Sequence, residues 1–358
     1  MDKRKIWLVA LLSLVAVIMV ACSSDSEDEE AGSNEETVGN SELEGKLVVY
    51  SSRKEEFVQP ILDKFEEETG VEVKLLPSDE TIVNRIHEEQ VNPQADIFFS
   101  TDTAAMEFLK LEGALQPYTG EDAEIIEDKY RADDNSWIGL SARTRGFIYN
   151  KDLISEEEMP QTMEELADPK WADEFAMVRG GNGSMISQVA ALRTQWGDDK
   201  TSEWIKNVGE NAGAILAGHG DIRKAVGAGE FKFGLVNNYY YHQQLGEPKD
   251  NNVGFIYPDQ GEDEMGAFVN ASGIGFIEGA PNPENAEAFI SFMLEEENMR
   301  DFSYNSKETP LHPDVEAVPE ALPINEYKTM DMPLSDLGPV WNDAKQLIDQ
   351  SGLPLEVQ

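Results

Sequence analysis

The sequence predicts an α/β protein built as two lobes. Three observations carry this. The stretch from Lys46 to Gln358 is too long for one ordinary hydrophobic core. Within it, short apolar runs of strand type alternate with segments of helical period, the pattern of a largely parallel sheet flanked by helices. Two strand-like stretches, one around residues 137–149 and one from Gly266 to Phe276, lie far apart in sequence and read as the outward and return crossings between lobes.

The N-terminus sets the compartment. Lys3, Arg4 and Lys5 precede an apolar run from Ile6 to Ala21 that stops at Cys22, which reads as a lipoprotein signal whose cysteine becomes the lipidated first residue. Cys22 is the only cysteine, so no internal disulfide is possible and the core alone must hold the fold. Ser23 to Gly45 contains Ser, Gly, Asn and acids with no base or aromatic, the composition of an extended tether. The net charge is −42, and the leader carries three bases against one acid, so its removal makes the chain more acidic still. Nucleic acid is thereby excluded as a natural partner, and any anion must be held by local groups.

Taken in order, Leu47 to Tyr50 is a strand. Phe57, Ile61 and Phe65 then fall four apart on a helix that ends at Gly70. Val71 to Leu76 alternates as a strand, Thr81 to Glu89 reads as a helix, Ala95 to Ser100 as a buried strand and Thr103 to Leu109 as a helix. Ligands of such sheets sit beyond the carboxyl ends of the strands, which puts residues 51–54 and 100–103 on the ligand side. Trp137 to Ser141 and Gly146 to Tyr149 read as two short strands around Arg143-Thr144-Arg145. Phe175 to Val178 is a strand, after which the glycine-rich run Arg179 to Ser184 opens a helix at Met185 and offers backbone N–H groups to an anion. Asp221 reads as the N-cap of a helix that closes at Gly227 to Gly229. Pro283 to Leu294 and Leu334 to Ser351 supply later helices. The division that follows is a leader at 1–21, a tether at 22–45, a first lobe at 46–141 plus 266–318, and a second at 142–265 plus 319–358.

Catalytic chemistry has little to work with. His87, His219, His242 and His312 show no metal-site spacing, there is no G-x-S-x-G, and Cys22 is consumed by the anchor. A lipid-anchored hydrolase is therefore the least supported class. The stretch Phe231 to Gln244, FKFGLVNNYYYHQQ, is the unusual feature. If the strand ends at Asn237 and Asn238 and a helix begins, Tyr239 and Tyr240 lie about 100° apart at its mouth and both face the cleft. Residue types alone leave open whether they stack on an organic ligand, pack, or turn their oxygens to one point.

YSSRK at 50–54, ADIFFSTD at 95–102, SARTRGFIYNK at 141–151, ADPKW at 167–171 and VNNYYY at 236–241 together resemble the ferric-ion-binding periplasmic proteins of bacterial ABC importers. The resemblance runs over nearly the whole chain from Leu47. It implies the two-lobed periplasmic-binding-protein (Venus-flytrap) fold with two crossing strands, a monomer, no enzymatic activity, and delivery of cargo to an ABC permease and its ATPase. It also implies that Tyr239 and Tyr240 bind Fe(III) as phenolates, with Asn237 in support and Tyr241 as packing. Where relatives add a first-loop His or Tyr this chain has Lys54; where others add a Tyr after the glycine loop it has Met185; and the acidic ligand of the early helix falls at Thr81, beside Glu80.

The shell is then completed in one of two ways. A carbonate, phosphate or citrate could bridge the metal to Arg53, Lys54, Arg143 and the N–H groups of Gly181, Asn182, Gly183 and Ser184. Alternatively His219 ligates. An importer-type binding protein for an organic phosphate, phosphonate or thiamine-like ligand is the alternative reading.

Overall fold

The computed structural model describes residues 43–76 and 81–357. The leader, Cys22, the tether through residue 42 and Glu80 lie outside the described residues. β1 (Lys46–Ser51) leads through an extended Lys54 into α1 (Glu55–Thr69), whose Val58, Ile61, Leu62 and Phe65 form one buried stripe. Gly70 ends this helix in the left-handed conformation (φ 75°), where a residue with a Cβ would be strained. β2 (Glu72–Leu76), α2 (Ile82–Glu88), β3 (Ile97–Ser100) and α3 (Thr103–Leu111) follow. Asp102 caps α3 by accepting the Ala104 N–H.

The two short strands expected between Trp137 and Tyr149 are one. β4 runs unbroken from Trp137 to Asn150 and is buried throughout. Arg143, Thr144 and Arg145 are part of it, because their backbones stay in the ladder, opposite Asn270, Val269 and Asn237, where the strand changes neighbours. The second half continues with β5 (Phe175–Val178), α4 (Gly183–Trp196), α5 (Asp198–Asn211), β6 (Ala214–Leu216), α6 (His219–Gly227), β7 (Phe233–Asn237), α7 (Asn238–Leu245) and β8 (Val253–Ile256). α4 starts two residues before Met185, since the Asn182 side chain caps it on the Ser184 N–H. Asp221 is not an N-cap: Gly218 holds that position, and Asp221 lies in the first turn, where the helix dipole favours an acid. β9 (Val269–Phe276), α8 (Pro283–Leu294), α9 (Glu296–Ser306), β10 (Thr309–Pro310) and α10 (Gly338–Gln350) complete the chain.

The strands form a mixed sheet in the order β2-β1-β3-β9-β4-β7-β5-β6, with β8 and β10 also paired to β4. Pairing is parallel where strands alternate with helices, β2-β1-β3 on one side and β7-β5-β6 on the other. It is antiparallel wherever β4 or β9 takes part, because these two long strands run against each other through the middle. β4 pairs with β9 up to Thr144 and with β7 from Arg145 onward. That exchange of partners divides the sheet into two halves. α10 touches both: Trp341 stacks on Phe108 of α3 with centroids 5.5 Å apart, while Ile348 packs beside Gly180, two residues before the α4 cap. No helix among the described residues is long and apolar enough to cross a membrane.

Candidate functional site

β7 is apolar and buried through Val236, so it ends where the side chains turn polar, at Asn237 and Asn238. Asn237 keeps an extended backbone (φ −83°, ψ 146°) as the N-cap of α7, yet its amide does not cap the helix. Its Oδ1 accepts from Arg145 Nη1 at 3.3 Å, and its Nδ2 donates to Ser184 Oγ at 3.3 Å. Asn238 Oδ1 accepts the Thr144 N–H at 2.9 Å. Both asparagines thus tie the head of α7 to β4 and α4, which fixes the direction of the next two side chains.

Those side chains are Tyr239 and Tyr240, whose ring centroids lie 4.2 Å apart with planes tilted by 33°. Tyr239 is buried and Tyr240 half-buried. The phenol of Tyr239 is held well above its ordinary range, first by burial, then by Tyr240 and Glu308, with Arg143 opposing. Two adjacent phenols are a hard-oxygen donor pair, and a cation of high charge bound by their oxygens would ionise them. Tyr241 points elsewhere and stacks on Phe255 at 5.6 Å, and His242 is buried with Nδ1 3.0 Å from the Lys307 carbonyl oxygen.

Positive charge surrounds the pair from within. Arg143 and Arg145 are both buried on β4, and alternation puts them on one face. Arg145 is 1 % exposed, and its Nε and Nη2 find no hydrogen-bond partner among the described residues. Burial, then the neighbouring Arg143, lower its pKa to about 9. The His219 ring stacks on Tyr240 at 5.1 Å, and its Nε2 lies 3.2 Å from Arg145 Nη1. Burial, then Arg145 and Arg143, push this imidazole well below its usual range, and only a hydrogen bond with the Leu235 backbone opposes them. It is therefore neutral, stacked on Tyr240 and lying against Arg145.

Several expected anion contacts are already engaged. Arg53 is 3 % exposed and pairs with the buried Glu308, its Nη1 3.2 and 3.1 Å from the two carboxylate oxygens, and it also donates to Ser272. Ser141 donates to the same Glu308. Lys54 is exposed at the head of α1, 3.7 Å from Glu56. The glycine cradle is filled from inside the protein: the Gly180 and Gly181 N–H groups donate to the carbonyls of Pro354 and Leu355 at 2.7 and 3.0 Å. The Asn182 N–H goes to the Arg179 carbonyl at 3.1 Å and the Ser184 N–H to the Asn182 side chain at 3.0 Å. Gly183 begins α4 with Asp102 next to it. Met185 is wholly buried.

Of the residues expected at the site, the structure therefore gathers Tyr239, Tyr240, Asn237, Arg143, His219 and Ser184, and leaves Arg53, Lys54 and Gly181 engaged elsewhere. Arg145 and Glu308 belong to the surroundings without having been anticipated. Arg145 was findable, two residues from Arg143 in a strand. Among the described residues no group of three or more His, Cys, Asp or Glu side chains is placed to hold a metal ion.

Comparison with known proteins fits this geometry. Residues 61–330 match the bacterial extracellular solute-binding protein family. The chain belongs to that family. It is thus an exported solute-binding protein and not an enzyme. This solute-binding protein is 32% identical over 317 residues to Iron uptake protein A1 of Synechocystis sp., a match covering 86% of this chain and 87% of that one. Among solved structures it resembles iron-bound HitA from Pseudomonas aeruginosa, with a TM-score of 0.81 and 28% identity over 87% of this chain and all of the other. It also resembles the Trichodesmium IdiA (FutA) protein in complex with iron and citrate, with a TM-score of 0.76 and 29% identity over 86% of this chain and all of the other. The fold is accordingly the two-lobed fold of these binding proteins.

Proposed function

We propose that this protein captures Fe(III), together with a small anion or as a small ferric chelate, and delivers it to an ABC permease driven by its ATPase. The observation that carries the reading is the packing of Tyr239 against Tyr240, ring centroids 4.2 Å apart, beside the buried guanidiniums of Arg143 and Arg145. Fe(III) is small, hard and highly charged, and it prefers anionic oxygen. Two phenolates offset only two of its charges, and Arg143 and Arg145 repel the remainder. An accompanying carbonate, phosphate or citrate restores the balance, and the chemistry of the two guanidiniums suits such an oxyanion. The relatives named for iron uptake and the structure holding iron with citrate support the same class of cargo.

In this reading Tyr239 and Tyr240 bind the metal, Arg143 and Arg145 face the anion, and Ser184 and Asn237 buttress the pair. His219 supports Tyr240 and Arg145 rather than ligating. The lobes divide as 46–141 plus 266–318 and 142–265 plus 319–358, with the pivot at Thr144 and Arg145 where β4 exchanges partners. Closure about that pivot encloses the cargo. The protein acts as a monomer held on the outer face of the membrane by lipid on Cys22. Titration calorimetry with ferric citrate and, separately, with an organic phosphonate tests the cargo. Saturable 1:1 binding of the ferric complex alone is expected; binding of the phosphonate alone would replace iron with an organic anion.

A further inference from the structure

The two crossing strands do not meet alone. At the level where β4 changes partners, the Arg145 N–H donates to the Phe268 carbonyl at 2.9 Å. Alongside them runs residues 327–330, a stretch outside any regular element. The Ala267 N–H donates to the Lys328 carbonyl at 2.9 Å and the Met330 N–H returns to the Ala267 carbonyl at 3.0 Å. Gly266 makes this approach possible: a Cβ there would lie 2.5 Å from the Thr329 carbonyl carbon, and its φ of +84° is itself a glycine conformation.

The stretch is also clamped from behind. Lys328 Nζ donates to the carbonyls of Gly261 and Glu262 at 2.9 Å each, and to that of Glu264. The Gln260 side chain exchanges two hydrogen bonds with the Lys328 backbone, at 2.8 and 3.0 Å. Tyr327 is thereby held at one orientation, its ring stacked on Tyr257 with centroids 4.2 Å apart. Its hydroxyl reaches Thr144 Oγ1 at 2.7 Å. Thr144 donates its backbone N–H to the side chain of Asn238, the residue before Tyr239.

We propose that residues 327–330 form a third hinge segment, and that Tyr327 is a positioning residue for cargo capture, acting through Thr144 and Asn238 on the head of α7. The contact converts the setting of the pivot into the placement of the Tyr239–Tyr240 pair, so the pair is complete only at one hinge setting. This rests on the ferric reading for its consequence, though the contact itself can be tested without iron.

The test uses Tyr327→Phe, Thr144→Val and their combination in the whole chain, each first shown to melt cooperatively. Affinity for Fe(III) is read from the visible band in competition with citrate. Each single change should weaken binding roughly five- to tenfold, and the double variant should be no weaker than the singles, because both remove the same bond. Hydrogen exchange on the iron-free protein should show faster exchange of the Thr144 amide in Tyr327→Phe and unchanged exchange in α1. Wild-type affinity in Tyr327→Phe, or additive losses in the double variant, would overturn the positioning role. Should the wild-type protein take up no iron, the ferric reading falls, and unchanged Thr144 protection in Tyr327→Phe would then overturn the hinge contact as well.

Discussion

Tyr239 sits where a proton is hardest to remove, and a bound trivalent ion is the change that removes it. Burial and the neighbouring phenol keep its hydroxyl protonated in the empty protein. Loading should therefore release about two protons per iron from the pair, and binding should tighten as pH rises. Uptake measured in weakly buffered solution with a pH indicator checks this, and Tyr239→Phe should release one proton fewer. His219 offers a second pH test, on the empty protein. Its pKa is depressed by burial and the two arginines. An unfolded histidine titrates near pH 6.5, so the unfolded chain takes up a proton that the native ring refuses, and the contribution to stability present above that pH is lost as the pH falls below it. Melting followed between pH 7.5 and 5 should show a flatter slope in His219→Gln than in the parent; an identical slope would mean that the ring does not stay neutral. At this scale the donor pair was legible because VNNYYY places a strand end and a helix start in adjacent residues. The role of Arg53 was not: its partner Glu308 lies 255 positions away, and local pattern cannot show that a base is already paired.

Elements join through a few buried polar contacts, and these set where changes hurt most. The Arg53–Glu308 pair ties the β1–α1 connection to β4 and β9 through Ser141 and Ser272, with the guanidinium 4.8 Å above the Phe302 ring. Removing one partner strands a buried charge. Glu308→Ala should cost about 3 kcal/mol or more in chemical unfolding, and the double change Arg53→Met with Glu308→Leu should cost less than either single change. Asp259 shows the opposite pH behaviour to His219. Burial, more than any neighbouring charge, lifts its carboxyl to about 6, while it accepts the Met163 N–H at 3.1 Å from a left-handed backbone (φ 62°). Its raised pKa means that stability present below about pH 4 is lost as pH rises through 6. Asn tolerates that backbone and keeps an acceptor, so Asp259→Asn should melt higher than the parent at pH 7.5 and equally at pH 4. The alternation of strands and helices was readable for most elements. β4 is not legible as one strand in the sequence because two arginines interrupt an apolar run; Arg145 is buried against the His219 ring of α6 and the Asn237 amide at the end of β7.

Over the whole molecule, two sheet halves share β4 and β9, the residue 327–330 stretch lies against both strands, and α10 packs on α3 and near the head of α4. Asp102 at the head of α3 accepts from Ser187 of α4, so the halves also touch across the cleft side. The fold class and the two crossings followed from length and period. The path of the C-terminal segment across both halves did not, since nothing in its local pattern states which helices it will meet. The most direct test of the account is the visible spectrum and metal content of protein loaded with ferric citrate, compared with Tyr239→Phe/Tyr240→Phe. The wild-type chain should hold one iron and show a phenolate-to-iron band that is absent from the variant, which should retain no iron after gel filtration. Equal iron retention by both proteins would contradict the assignment of the tyrosine pair.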